Sequence, residues 1–151
     1  MKKILLILIS LFCCLQSYAQ RETLARFIIL EAVIDGEDAT DFYIDQSAYV
    51  VFYNVDEEPY FAIMCPKDDT QSYGKLTLYD HKGTPETSEM YKMDEIKFRW
   101  SYINSYDSKR GSAMCYFTKI YKPNAVAFEL SMVTEDMSRL TFKGYMHGSL
   151  R

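Results

Sequence analysis

Histidine and cysteine are scarce in this chain, with two of the first and four of the second in 151 residues. His81 and His147 lie far apart, with no ligand spacing around them, so no zinc signature can be written. Neither has a nucleophile beside it in a G-x-S-x-G or comparable setting. A phosphate-cradling glycine loop and a dinucleotide fingerprint are both missing, so no cofactor is expected. Glycine and proline number only six and four, and no Pro/Gly-rich linker, repeat or low-complexity tract follows residue 20. That leaves one domain rather than a string of modules. Positive charge is in deficit, with 17 Lys and Arg against 21 Asp and Glu and a net charge of −4. An acidic surface repels phosphates and anionic lipid, which argues against nucleic acid as a partner. Past the first twenty residues no apolar run approaches the about 20 residues that a membrane-crossing helix needs.

What is present begins with Met1-Lys2-Lys3, a short cationic stretch, then an apolar run over 4–15 and Ser17-Tyr18-Ala19. Ser17 and Ala19 are small residues at the two positions that a signal peptidase inspects. The run is too short for about 30 Å of hydrocarbon. The expectation is a signal peptide over 1–19, cleaved to leave one mature domain over 20–151, periplasmic or secreted. A retained anchor would need a stop-transfer pattern, which does not follow. Acylation of Cys13 or Cys14 would need a lipobox, and Phe12 and Cys13 ahead of Cys14 are poor residues for one. Loss of Lys2 and Lys3 moves the net charge from −4 to −6. Cleavage also removes Cys13 and Cys14, leaving Cys65 and Cys115. In an oxidising compartment these are a disulfide candidate. The bond would close a loop of about 50 residues, worth roughly 4 kcal/mol in the chain-entropy model. The other reading is two separate buried thiols acting as small hydrophobes.

Short runs of β-branched and aromatic residues recur along the mature chain, each followed by turn chemistry. They predict strands near 24–34, 48–55, 59–65, 73–80, 95–106, 112–121, 125–134 and 139–147. Ile96, Phe98, Trp100 and Tyr102 alternate with Lys97, Arg99 and Ser101, a period of two that fits a half-buried strand. Val126, Phe128, Leu130 and Met132 repeat the pattern against Glu129 and Ser131. Leu140, Phe142 and Met146 stand opposite Thr141, Lys143 and Tyr145. The segment 25–34 is apolar on both faces and is expected to be buried on both. Asp80-His81-Lys82-Gly83 and Ser108-Lys109-Arg110-Gly111 each end in a glycine able to take positive φ, and are expected to be hairpin turns. Asn54 to Pro59, Lys122-Pro123-Asn124 and Glu135-Asp136-Met137-Ser138 are compact reversals. The stretch 37–45 is expected to form a helical turn or a wrapping loop, and 85–93 a short helix or loop. Short connections predict an all-β antiparallel up-and-down meander of about eight strands. Closing it into a barrel hides both edges, with a two-sheet sandwich as the alternative.

The opening Phe27-Ile28-Ile29-Leu30-Glu31-Ala32-Val33-Ile34 runs into Asp35-Gly36-Glu37-Asp38-Ala39-Thr40, and the meander ends in Leu140-Thr141-Phe142-Lys143-Gly144-Tyr145. In these features the chain resembles the small exported barrels of the calycin, or lipocalin-like, type. The resemblance implies a closed barrel over nearly the whole mature chain. It departs from true lipocalins at the first strand, where Ala25-Arg26-Phe27 replaces their Gly-x-Trp, so no binding residues are carried over.

An eight-strand barrel either holds one small molecule or fills its interior with side chains. A cavity would be lined by Phe98, Trp100, Tyr102, Phe128 and Phe142, and the expected function is non-catalytic binding of a small apolar or amphipathic ligand. The alternative is an interaction module, meeting an exported protein or envelope polymer. It would use a tyrosine-rich outer surface in a chain with 13 Tyr, with Tyr145, Arg99 and Lys143 facing outward. Asp35, Glu37, Asp38, Asp41 and Asp45 form the densest acidic stretch. They lack the glycine and the closing glutamate of a calcium loop, and an ordinary solvated turn accounts for them. No activated nucleophile or acid–base pair can be named, so catalysis is not expected.

Overall fold

The computed structural model describes residues 21–148, so the leader expected over 1–19 lies outside the described residues. Period-two alternation generates eight long strands: β1 (Arg21–Ile34), β3 (Tyr49–Val55), β4 (Glu58–Cys65), β5 (Thr70–Thr84), β6 (Met93–Asn104), β7 (Arg110–Lys122), β8 (Ala125–Thr134) and β9 (Arg139–Met146). A two-residue strand, β2 (Glu37–Asp38), and one short helix, α1 (Thr40–Asp45), sit between β1 and β3. Each long strand pairs antiparallel with its sequence neighbour, and β1 also pairs with β9, from Phe27↔Met146 to Ile34↔Leu140. One sheet therefore closes on itself as an up-and-down barrel, not a two-sheet sandwich.

The inward phase falls where alternation puts it. On β6, Phe98 and Trp100 are buried while Lys97, Arg99 and Ser101 face water. Phe128, Leu130 and Met132 on β8 and Phe142 on β9 are buried as well. β1 departs from its expected double burial. Leu30, an extra residue in the ladder between Ile29 and Glu31, bulges outward and is 45% exposed. A bulge shifts the side-chain phase by one, so Phe27 and Ile29 before it and Ala32 after it all point inward although their spacing is not even.

Two predicted turns also differ. Asp80-His81-Lys82-Gly83 is not a hairpin turn but part of β5, paired from Asp80↔Lys97 to Gly83↔Asp94 after a bulge at Tyr79. Here β6 and β7 run on together as far as Met93↔Ile120, which gives the backbone of this polar segment a ladder to join. The turn expected at 108–111 falls instead at 105–109: Ser108 takes the left-handed φ of 59°, and Arg110 and Gly111 belong to β7.

Close strand approach needs glycine at two places. A Cβ on Gly74 would collide with the backbone carbonyl of Ser101, and one on Gly144 with that of Ile28. At one end the interior is filled by phenylalanine. Phe27 meets Phe117 edge to face at 4.9 Å, Phe52 meets Phe61 and Phe117 at 4.9 Å, and Phe117 stacks on Phe128 at 5.6 Å. Each such pair adds about 0.5–1.5 kcal/mol beyond the area it buries, so this plug closes the end of the barrel where β1 begins.

Candidate functional site

The opposite end is built differently. Following the inward phase of β5 from Leu76 through Gly74, the next residues are Ser72 and Thr70. On β6 the phase runs from Trp100 through Tyr102 to Asn104, and on β8 from Met132 to Thr134. Short polar side chains at these strand ends do not reach the axis as phenylalanine does. They leave a cavity of about 430 Å³, open to solvent on one side. Its apolar floor is Ile63, Trp100, Met132 and Leu140, and Ser72 and Asn104 stand at its rim.

Several contacts hold this shape. The Trp100 indole N–H donates to the Phe61 carbonyl at 2.9 Å, and its ring lies edge-on to Phe61 at 5.0 Å. Tyr102 lies tilted against Trp100 at 4.6 Å and covers Gly111, where a Cβ would come 2.6 Å from the phenol oxygen. The Ser72 hydroxyl donates to Asn104 Oδ1 at 2.7 Å. Every buried side-chain N or O among the described residues has a partner.

α1 leans over the opening. Ala32 N–H donates to Thr40 Oγ1 at 3.1 Å, and Tyr43 packs edge to face on Phe142 at 5.0 Å. Burial pushes the Tyr43 phenol up to about 12. Burial, and then the charge of Asp136, raise the Tyr102 phenol; burial, and then Asp107, raise that of Tyr106. All three stay neutral hydroxyls at physiological pH. Two of the acidic residues before and at α1 do local work. Asp35 accepts from Arg139 N–H at 2.7 Å and Asp38 from Thr40 N–H at 2.9 Å. Thr40 holds the Asp38 carboxyl below its usual value. Among the described residues no three His, Cys, Asp or Glu side chains converge as a metal group.

Of the five residues that alternation pointed to, Trp100 and Tyr102 line the cavity. Phe98, Phe128 and Phe142 are buried within the filled interior. Sequence reasoning passed over the helix rings Phe42 and Tyr43 and the inward polar residues. The signal that finds them is the change from apolar to polar within a constant inward phase. Cys65 and Cys115 are not bonded to each other. They stand as free thiols, the first half-buried at the cavity wall and the second fully buried.

The outer wall carries a second apolar cluster. Val51, Tyr53 and Ala62 are buried on the outside of β3 and β4, flanked by Tyr49, Val55, Tyr60 and Met64. The Arg21 and Arg26 guanidinium groups lie over Tyr53 at 4.1 Å and Tyr49 at 3.7 Å. The outward residues named from sequence are occupied: Lys143 pairs with Glu31 at 3.2 Å, Arg99 with Glu135 at 3.9 Å, and Lys122 lies over Tyr145 at 5.9 Å. No protein-family model, curated protein or solved structure matches the chain.

Proposed function

We propose that this chain is a non-catalytic binding protein that holds one small amphipathic molecule at the open end of a lipocalin-like barrel. The observation that carries this reading is the cavity of about 430 Å³ above Trp100. That volume lies within the about 300–1,000 Å³ typical of ligand sites. Its apolar floor and polar rim suit a ligand with an apolar body and a hydrogen-bonding head. The phenylalanine plug below restricts the ligand to the mouth. The protein acts after export, a reading supported by the leader pattern of residues 1–19 and tested by N-terminal sequencing of protein from envelope and medium fractions.

Trp100 is the only tryptophan in the sequence, so its emission reports on the cavity directly. Gentle purification followed by native mass spectrometry is expected to show a copurifying small molecule. Removing it should shift Trp100 emission, and adding it back should restore the signal. A second reading, docking of another protein or an envelope polymer on a tyrosine-rich outer surface, is favoured by the exposed rings of Tyr73 and Tyr79 on β5 and Tyr116 on β7. A clean mass, unresponsive Trp100 emission and concentration-dependent association would select that reading and overturn the first.

A further inference from the structure

We infer that the molecule held at the mouth is an organic cation, an aliphatic amine or quaternary ammonium with an apolar tail. The inference rests on the binding reading above and adds the charge of the ligand to it. Its basis is a wall rich in aromatic rings that carries no positive charge.

Five aromatic rings, Phe42, Tyr43, Trp100, Tyr102 and Tyr106, contribute to the cavity wall. Trp and Tyr faces attract cations by about 0.5–2 kcal/mol each, more when water is excluded. Asp68 is the single charged residue of the lining, and no Lys, Arg or His joins it among the described residues. No salt bridge among the described residues occupies its carboxylate. A carboxylate or phosphate head entering here would give up its hydration for no counter-charge, which is costly. A cation would exchange hydration for ring faces and Asp68.

The surroundings have the same sign. Four chain segments border the mouth, 35–48, 66–69, 105–109 and 135–138. They carry ten carboxylates against two lysines, Lys67 and Lys109. Lys109 is itself drawn to Asp107 at 4.0 Å. These segments sum to −8, against −6 for residues 20–151 as a whole, so this end concentrates the negative potential. Clefts lined by one sign focus the field and raise the local concentration of the opposite ion. An open aromatic cavity ringed by carboxylates selects for cations both in encounter and in binding.

The test uses the mature protein and three probes with one alkyl tail: octyltrimethylammonium, octanoate and octyl glucoside, each below its aggregation concentration. Binding is followed by Trp100 emission and by calorimetry. The cation is expected to bind about tenfold tighter than the anion, a difference of 1.4 kcal/mol, and the gap should shrink as salt is raised. Asp68 is exposed at the end of a single 3-10 turn, Pro66–Asp68, so Asp68→Asn should leave folding intact. It should weaken the cation about threefold or more while changing the neutral probe less than about twofold. Octanoate binding as tightly as the cation would overturn the inference and leave the binding reading standing. No response to any probe in either measurement would overturn both.

Discussion

The Trp100 indole reaches across β5 to donate its N–H to the Phe61 carbonyl on β4 at 2.9 Å. This bond fixes the ring at the boundary between the packed phenylalanines and the open cavity. The residue of β5 between Phe61 and Tyr102 in the ladder is Gly74, which has no side chain to obstruct the ring. Trp100→Phe removes the indole's bond to the Phe61 carbonyl and enlarges the cavity. It should cost about 2–4 kcal/mol of stability, from the lost bond and the missing ring together. Urea unfolding of the two proteins, followed by circular dichroism, measures the difference; equal midpoints would mean that the bond contributes nothing.

The two glycines that let strands approach give a sharper contrast. A methyl group at Gly74 or Gly144 meets a neighbouring backbone carbonyl, which cannot rotate away. Gly74→Ala and Gly144→Ala should each cost about 3 kcal/mol or more, at the top of the range for overpacking. Gly83 lies on the same strand as Gly74, yet its nearest neighbour would be Asp94 Oδ1 at 3.5 Å. Gly83→Ala should change stability by less than about 0.5 kcal/mol. Thermal melts of the three variants would refute the close-approach argument if all three behaved alike.

The bulge at Leu30 makes a prediction about phase. Ile29 is 1% exposed and Leu30 is 45% exposed, although sequence patterning gives them equal claim to the interior. Leu30→Lys should stay within about 0.5 kcal/mol of the parent. Ile29→Ala should lose about 2–5 kcal/mol, the usual cost of a buried aliphatic truncation. Reversed effects in denaturant titrations would place the bulge elsewhere.

Those variants also mark the limit of what patterning reveals. Ile96, Phe98, Trp100 and Tyr102 could be assigned to one face because strict alternation leaves no other arrangement of a half-buried strand. The closure followed from short connections and from the need to hide edges. The bulges at Leu24, Leu30 and Tyr79 carry no local signature, since each is set by how a distant strand pairs. Hollow and filled interior were equally hidden. Phe98 and Trp100 look alike in sequence, but Phe98 is met by Phe52 at 5.8 Å and Phe61 at 5.4 Å. Above Trp100 the inward positions pass to Ser72, Asn104 and Thr134. That change of polarity could be seen in the chain, but its meaning depends on knowing that all three strands end at the same rim.

Thiol chemistry separates the two cysteine readings. Burial raises both thiols above their ordinary value, Cys115 the further. The thiolate is the reactive form. In the native protein without reductant, a thiol reagent should label Cys65 slowly and leave Cys115 untouched until unfolding. Denatured protein should then label at both positions. If mass spectrometry finds neither labelled after denaturation, Cys65 and Cys115 are bonded to each other.

Tyrosine ionisation sets how stability responds to alkali. Tyr43 is pushed up to about 12 by burial, and burial also raises Tyr53, Tyr102 and Tyr106. In the unfolded chain these phenols ionise near 10, so between about 10 and 12 the unfolded state binds fewer protons than the folded one. Stability must then fall as pH rises. The neutral phenols contribute fully below the unfolded value, and the loss runs up through the folded value. Asp38 and Asp136 act at the other extreme. Thr40 and Thr134 hold their carboxyls below the usual range, a contribution that is present above that range and fades as acid is added. Melting temperature should therefore show a plateau through neutral pH and a steep decline above about 10. Tyr43→Phe should flatten part of that decline, and the variant's phenolate absorbance should lack the last-titrating group. An unchanged alkaline limb in Tyr43→Phe would mean that the ring is not enclosed beneath α1, and the cavity would then be wider at its helix side than the structure gives it.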